Sequence, residues 1–246
     1  TMNTRLANLI LTVIITIALG LILTISYSYA PNRILKLLGG EVPHGLIQLA
    51  TYFFFFYGML EVLRFNRYVE NQSKGLSLGL LPEKEQFVLS ADEVNDIKLK
   101  MVEMEKNNPY LIIDMIKKAC TKFRSNKSVS ESLDIVSAQT DINLRNTDSE
   151  QNLVKYFAWA CQSIGLVGTV LGIGASLSAA NQISSQEGID YVTGLLGVSF
   201  DSTLLALVLS IILMYAYSLV SEKIDKLHSD NQNYVIENLI NRIYSK

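Results

Sequence analysis

The stretch Gly165-Leu166-Val167-Gly168-Thr169-Val170-Leu171-Gly172-Ile173-Gly174-Ala175-Ser176-Leu177-Ser178 decides how the rest of the chain reads. It lies inside residues 156–186, a run of 31 residues without a charge. About 20 apolar residues suffice to cross a bilayer as a helix. Three more charge-free runs qualify: residues 6–32 (27 residues), 42–60 (19) and 202–221 (20). The whole chain of 246 residues is only 18% charged, with a mean hydropathy of +0.26, against roughly 25% charged residues in soluble domains. Four such runs exclude a soluble globular protein and predict an all-α membrane protein with four transmembrane helices. The net charge of −2 provides no basic field to recruit nucleic acid.

The apolar run that opens the chain is too long for the core of a signal peptide. It is followed by Tyr29-Ala30-Pro31-Asn32-Arg33, with no small-residue cleavage site, and so reads as a retained span. Cys120 falls in the polar stretch and Cys161 in the third apolar run, so they are not expected to pair. With only His44 and His228 beside them, no metal-site spacing exists.

Basic residues near helix ends set the orientation. None occurs between Lys155 and Lys223, so the connection at residues 183–190 is expected outside. Residues 64–155 hold 14 of the 21 Lys and Arg and are expected inside. Arg5, Lys223 and Lys226 agree, which places both termini in the cytoplasm; Arg33 and Lys36, in the first outer loop, run against the pattern. The chain then divides into a first span at 6–30, a second at 44–64 and a helical cytoplasmic region at 65–129. A long helix at 130–182 contains the third span, and residues 190–246 form the fourth span with a cytoplasmic helical extension. From Ser130 to Asn181 nothing forces a break, and some 50 helical residues extend about 75 Å.

The spans differ in chemistry. The second carries Tyr52, Phe53, Phe54, Phe55, Phe56 and Tyr57, bulk suited to a lipid-facing helix. The third and fourth are built from small and polar residues. Gly165, Gly168 and Gly172 on one, and Ser202, Ala206 and Ser210 on the other, recur at the spacing that lets helix backbones approach closely. Thr169, Ser176, Ser202 and Thr203 add hydroxyls at membrane depth, which bond back to their own helix or line a conduit. Asp201 interrupts the apolar stretch 191–220 and has two readings: a wet residue capping the helix at the outer interface, or a functional intramembrane carboxylate. Glu61, close to Arg64, reads as a snorkelling residue at the inner boundary.

Between the second and third spans, Ser90-Ala-Asp-Glu93 is a capping box opening a helix that runs to Lys106. A second helix follows Pro109, with Leu111, Ile112, Met115 and Ile116 on one face. Residues 65–155 balance 13 basic against 14 acidic side chains, a solvated mixed surface. No phosphate loop, nucleophile elbow or His-Glu-x-x-His sequence is present, so neither nucleotide hydrolysis nor an enzyme role has a motif, and any energy is expected from an ion gradient.

The segment Gly165-Leu-Val-Gly-Thr-Val-Leu-Gly172 resembles the Gly-Leu-Leu-Gly-Thr-Val segment of the MotA/TolQ/ExbB proton-channel family. Gly197-Val-Ser-Phe-Asp-Ser-Thr-Leu-Leu-Ala-Leu-Val-Leu-Ser-Ile211 resembles that family's last span, with Thr203 at its recurrent threonine. The resemblance covers roughly residues 130–225. Two positions depart from the pattern: Gln162-Ser163 replaces a frequent proline, and the last-span glutamate of some members aligns with Val198. Asp201 follows Val198 by three residues on the same helical face.

The resemblance implies a ring-forming subunit, a pentamer around two copies of a single-span partner whose intramembrane Asp binds the ion. It implies H⁺ or Na⁺ as the transported ion, no other cofactor, and a multi-pass location in the bacterial inner membrane. Ion passage would drive rotation, and Thr169 and Thr203 would be pore-facing hydroxyls near the partner's aspartate, with Ser176, Ser202 and Asp201 along the same pathway. Four spans with both ends inside look like the MotA branch. The competing reading is a passive scaffold whose small residues serve packing alone.

Overall fold

A computed structural model of the chain describes residues 2–43, 45–83, 88–180 and 185–244. Residue 44, where the second span was expected to begin, lies outside the described residues. So do residues 181–184, at the end of the third segment and the start of the 183–190 connection, and residues 1, 84–87 and 245–246. Among the described residues the protein is all-α, with no strand and four helices long and apolar enough to cross a membrane. The helices are α1 (Met2–Tyr29), α2 (Arg33–Leu37), α3 (Leu46–Ser73), α4 (Ala91–Glu105), α5 (Leu111–Asn126), α6 (Val129–Ser178) and α7 (Gln186–Asn238). They form two compact units, one of Thr1–Arg64 with Asn152–Leu219 and one of Phe65–Gln151 with Val220–Lys246.

The first unit holds the first three charge-free runs and the fourth as far as Leu219. On α1, Ile10, Ile14, Ile17 and Leu21 recur at helical spacing and stay exposed, a stripe that suits lipid because hydrocarbon makes no demand on it. Pro31 cannot continue α1, and the Asn32 side chain restarts the chain as α2 by accepting from Leu35 N at 2.8 Å. Leu35 and Leu38 pack on the buried cluster of Leu23, Tyr52 and Leu205, and Tyr52 donates its hydroxyl to the Leu38 carbonyl at 3.1 Å. Gly39 then turns the chain at φ +95°, a conformation open to glycine without a Cβ clash.

The aromatic run of α3 is not purely lipid-facing, as its bulk had suggested. Tyr52 and Tyr57 are buried, and Tyr57 meets Phe157 of α6 edge-on at 4.8 Å between ring centres. Aromatic quadrupoles favour that arrangement.

In the second unit, Ser90 and Glu93 form the expected capping box on α4. The apolar face of α5 is longer than Leu111–Ile116: Ile112, Ile113, Met115, Ile116, Ala119, Cys120 and Phe123 are all buried. Burying side chains of the Ile or Met class contributes about 1.5–3 kcal/mol each. Val136 from α6, Val235 near the end of α7 and Leu239 just beyond it complete this core. Helical spacing continues in the sequence to Ile243, but α7 stops at Asn238. Leu89 N donates to Arg242 O at 2.7 Å and Tyr244 N to Leu89 O at 3.1 Å, so the terminal segment is held by backbone pairing with the strand-like stretch before α4. Arg242 adds a bond to the Pro82 carbonyl at 2.7 Å.

Candidate functional site in the paired small-residue helices

Within the first unit, α6 and α7 run antiparallel, with small residues meeting small residues. At one end of the contact Ser210 donates to the Ala158 carbonyl at 3.0 Å. Next along, a Cβ built on Gly165 would meet Ala206 at 2.5 Å, and one on Gly168 or Gly172 would run into Ser202 or Ser199 more closely still. Real Cβ contacts are not that short, so the helices approach at the distance they do because those three positions are glycine. Gly174, in the same run, has open space where its Cβ would be and takes no part. At the far end the Ser176 hydroxyl lies 2.9 Å from the Gly172 carbonyl of its own helix and 3.3 Å from the Val192 carbonyl across the contact, either of which can take its one hydrogen.

Thr169 and Thr203 occupy the middle of this contact and hydrogen-bond to each other. Thr203 donates to the Gly165 carbonyl at 2.7 Å. Because each hydroxyl carries one hydrogen, that bond leaves Thr203 to accept from Thr169, giving a two-hydroxyl chain that ends on a backbone carbonyl. The Ser199 carbonyl lies 3.1 Å from Thr169 Oγ1 as a second acceptor when the hydroxyl turns. Both threonines are half-buried, while Ser176, Ser202, Ala206 and Ser210 are buried between the helices. Ser202 donates within its own helix, to Ser199 O at 2.8 Å. The hydroxyls therefore divide into a threonine pair bonded across the helices at a half-exposed position and serines enclosed in the contact.

Asp201 is not gathered into this group. Two residues from Thr203 on a 3.6-residue helix, it points about 200° away. It is 2% exposed and takes both guanidinium nitrogens of Arg33, Nη2 to Oδ1 at 2.6 Å and Nη1 to Oδ2. Such forked pairing is the strongest form of charge-assisted hydrogen bond. The two basic residues that ran against the orientation pattern are both ion-paired, Arg33 with Asp201 and Lys36 with Glu41 at 2.8 Å.

Glu61 does not snorkel to a boundary. It is fully buried, accepting from Asn8 Nδ2 at 3.1 Å and pairing with Arg64 at 2.9 Å. Arg33, Asn8 and Ser199 are the participants that residue spacing alone did not single out. The one available signal was that Arg33 and Asp201 are opposite charges at the edges of two charge-free runs. Cys120 and Cys161 are free thiols, and among the described residues no cluster of His, Cys, Asp or Glu has a metal-binding arrangement.

The fold and the paired helices define a multi-pass membrane protein whose small-residue helix pair carries a hydroxyl chain at its centre. A sequence model of the MotA/TolQ/ExbB proton channel family matches residues 108–233, just over half the chain and inclusive of α5, α6 and both threonines. The chain belongs to the MotA/TolQ/ExbB proton channel family. This makes it a subunit of the ion-channel or ion-driven-motor type rather than a member of an enzyme family. No curated protein and no solved structure matches it.

Proposed function

We propose that the protein is the ring-forming subunit of an ion-driven rotary complex in a bacterial inner membrane, with both termini cytoplasmic. Five copies surround two copies of a single-span partner whose intramembrane aspartate carries H⁺ or Na⁺. The observation that carries this reading is the Thr169–Thr203 hydroxyl chain, half-exposed on a tightly packed helix pair inside the family-matched segment. A carboxylate passing such a pair finds rotatable donors and acceptors that exchange partners without reorganising the backbone. The partner's acid is needed because Asp201 is already paired with Arg33 and Glu61 with Arg64. Ser176, Ser202, Gly165, Gly168, Gly172, Ala206 and Ser210 hold the two helices at fixed spacing behind the threonines.

The competing reading, a passive scaffold, draws on the enclosed serines, each of which is satisfied by a backbone carbonyl. Co-expression with a single-span protein that carries an intramembrane Asp, followed by purification and counting of subunits, separates the two. A ring of five with an axial pair is expected. A monomer, or a ring without an axial partner, overturns the motor reading.

A further inference from the structure

A cavity of about 180 Å³ opens where α7 begins. Its wall is Asp190, Tyr191, Gly194, Leu195 and Val198 of α7, with Lys36 and Glu41 from the loop that carries α2. Tyr191, Gly194 and Val198 share one face of the helix with Asp201, which points about 200° away from Thr203. The cavity is therefore turned away from the hydroxyl chain. One turn beyond Val198, Asp201 and Arg33 satisfy each other, and the lining stops short of both. At about 30 Å³ each, several waters fill that volume, so its occupant is larger than a bare ion.

Both signs of charge line the cavity. Lys36 and Glu41, each half-buried, pair at 2.8 Å. Asp190 has no counter-charge: among the described residues its carboxylate accepts from the neutral Gln186 amide at 2.9 Å and enters no ion pair. The lining thus sets one cation against two carboxylates, over an apolar floor of Leu195 and Val198. Gly194 leaves that floor open, with nothing near the place of its Cβ. Tyr191 is exposed, and so are Ile34, Val42 and Leu46 around the loop that carries Lys36 and Glu41. Aromatic and apolar side chains beside charged ones mark the level at which hydrocarbon gives way to headgroups.

We propose that this cavity seats the headgroup of a zwitterionic phospholipid whose cation is a primary ammonium, phosphatidylethanolamine. The ammonium brings three N–H donors to Glu41 and Asp190, the phosphate takes Lys36, and the Tyr191 ring offers its face to the cation. A dipolar headgroup enters the Lys36–Glu41 pair without leaving a charge unmatched, and it supplies the cation that Asp190 lacks. A choline headgroup has no N–H to donate, and a glycerol headgroup has no cation. Placing the lipid in the outer leaflet rests on the orientation proposed above; binding itself depends on neither rotation nor a partner.

The full-length protein, purified in detergent and stripped of lipid, is titrated with phosphatidylethanolamine, phosphatidylcholine and phosphatidylglycerol of the same acyl chains, and bound lipid is counted by native mass spectrometry. One phosphatidylethanolamine per chain is expected to bind about tenfold more tightly than either of the others, the worth of a charge-assisted hydrogen bond. Asp190→Asn and Lys36→Gln are each expected to remove that preference. Gly194→Leu fills the cavity without touching a charge, and is expected to do the same even if the charge variants fail to fold. Equal affinity of the parent for the three lipids overturns the proposal, as does a preference that survives in Gly194→Leu. Glycerophosphoethanolamine, which has the headgroup without the chains, is expected to compete poorly; competition equal to that of the lipid overturns the membrane source. A monomer, or a ring without an axial partner, leaves the lipid preference standing, and its loss leaves conduction at the threonine pair untouched.

Discussion

Thr203 of α7 donates its hydroxyl to the carbonyl of Gly165 on α6, at 2.7 Å. A residue without a side chain is therefore what lets the donor reach that carbonyl, and Thr169, one turn along α6, completes the chain of hydroxyls. Packing and chemistry at this point are one feature: the close approach that needs glycine also sets the geometry of the hydroxyls.

Thr203→Val keeps the shape of the side chain and removes its donor. The bond contributes about 0.5–1.5 kcal/mol to stability, so the ring is expected to assemble. Output of the assembled complex, read as ion flux into proteoliposomes, is expected to fall below about a tenth, since oriented donors of this kind are worth two to three orders of magnitude in rate. Thr203→Ser restores most of it. Full flux in Thr203→Val removes the assigned role.

Gly172 and Gly174, about 3 Å apart in helix rise, have opposite expected responses to the same substitution. Gly172→Ala drives a methyl into Ser199 and is expected to cost about 1–3 kcal/mol, as overpacking does. Gly174→Ala enters open space and is expected to gain about 0.5–1 kcal/mol from helix propensity. Thermal unfolding in detergent reads both; equal effects contradict the packing described for α6 and α7.

Glu61→Ala deletes a buried carboxylate bonded to Asn8 and Arg64. Breaking a buried pair from one side costs about 3–5 kcal/mol, whereas replacing both members by apolar residues is often nearly neutral. The double variant Glu61→Leu with Arg64→Met is therefore expected to unfold nearer the parent temperature than Glu61→Ala does. A snorkelling, solvated Glu61 predicts no such difference.

His228, beyond the apolar part of α7, is fully buried in the second unit with Thr147 Oγ1 at 3.3 Å from its Nε2. Burial pushes its pKa below the ordinary 6.5, against a smaller upward pull from Asp225. A depressed folded value means the neutral ring is favoured in the fold. The resulting stability is complete above the unfolded pKa near 6.5 and is lost as pH falls through the folded value. Unfolding temperature is expected to drop as pH falls below the unfolded value near 6.5, and less steeply in His228→Gln. Parallel slopes in the two proteins contradict this assignment.

Composition and local spacing were enough to read the four spans, the capping box at Ser90, the long uninterrupted α6 and the small-residue faces of α6 and α7. Those properties are written in runs of neighbouring residues: charge-free length, a 3.6-residue period, glycine and serine at every fourth position. The bonds between distant positions were not readable in that way. Asp201 had two readings until Arg33, 168 residues away in sequence, was seen to cover it. Glu61 looked like a boundary residue until Asn8 and Arg64 enclosed it, and α7 kept its helical spacing past Asn238 although pairing with Leu89 ends the helix. A charge near the end of a span carries the same local pattern whether it meets water or a counter-charge. Only the packing of α2 against α7, and of α1 against α3, determines which of these it meets, because desolvation and ion pairing depend on what surrounds a group in space and not on its neighbours along the chain.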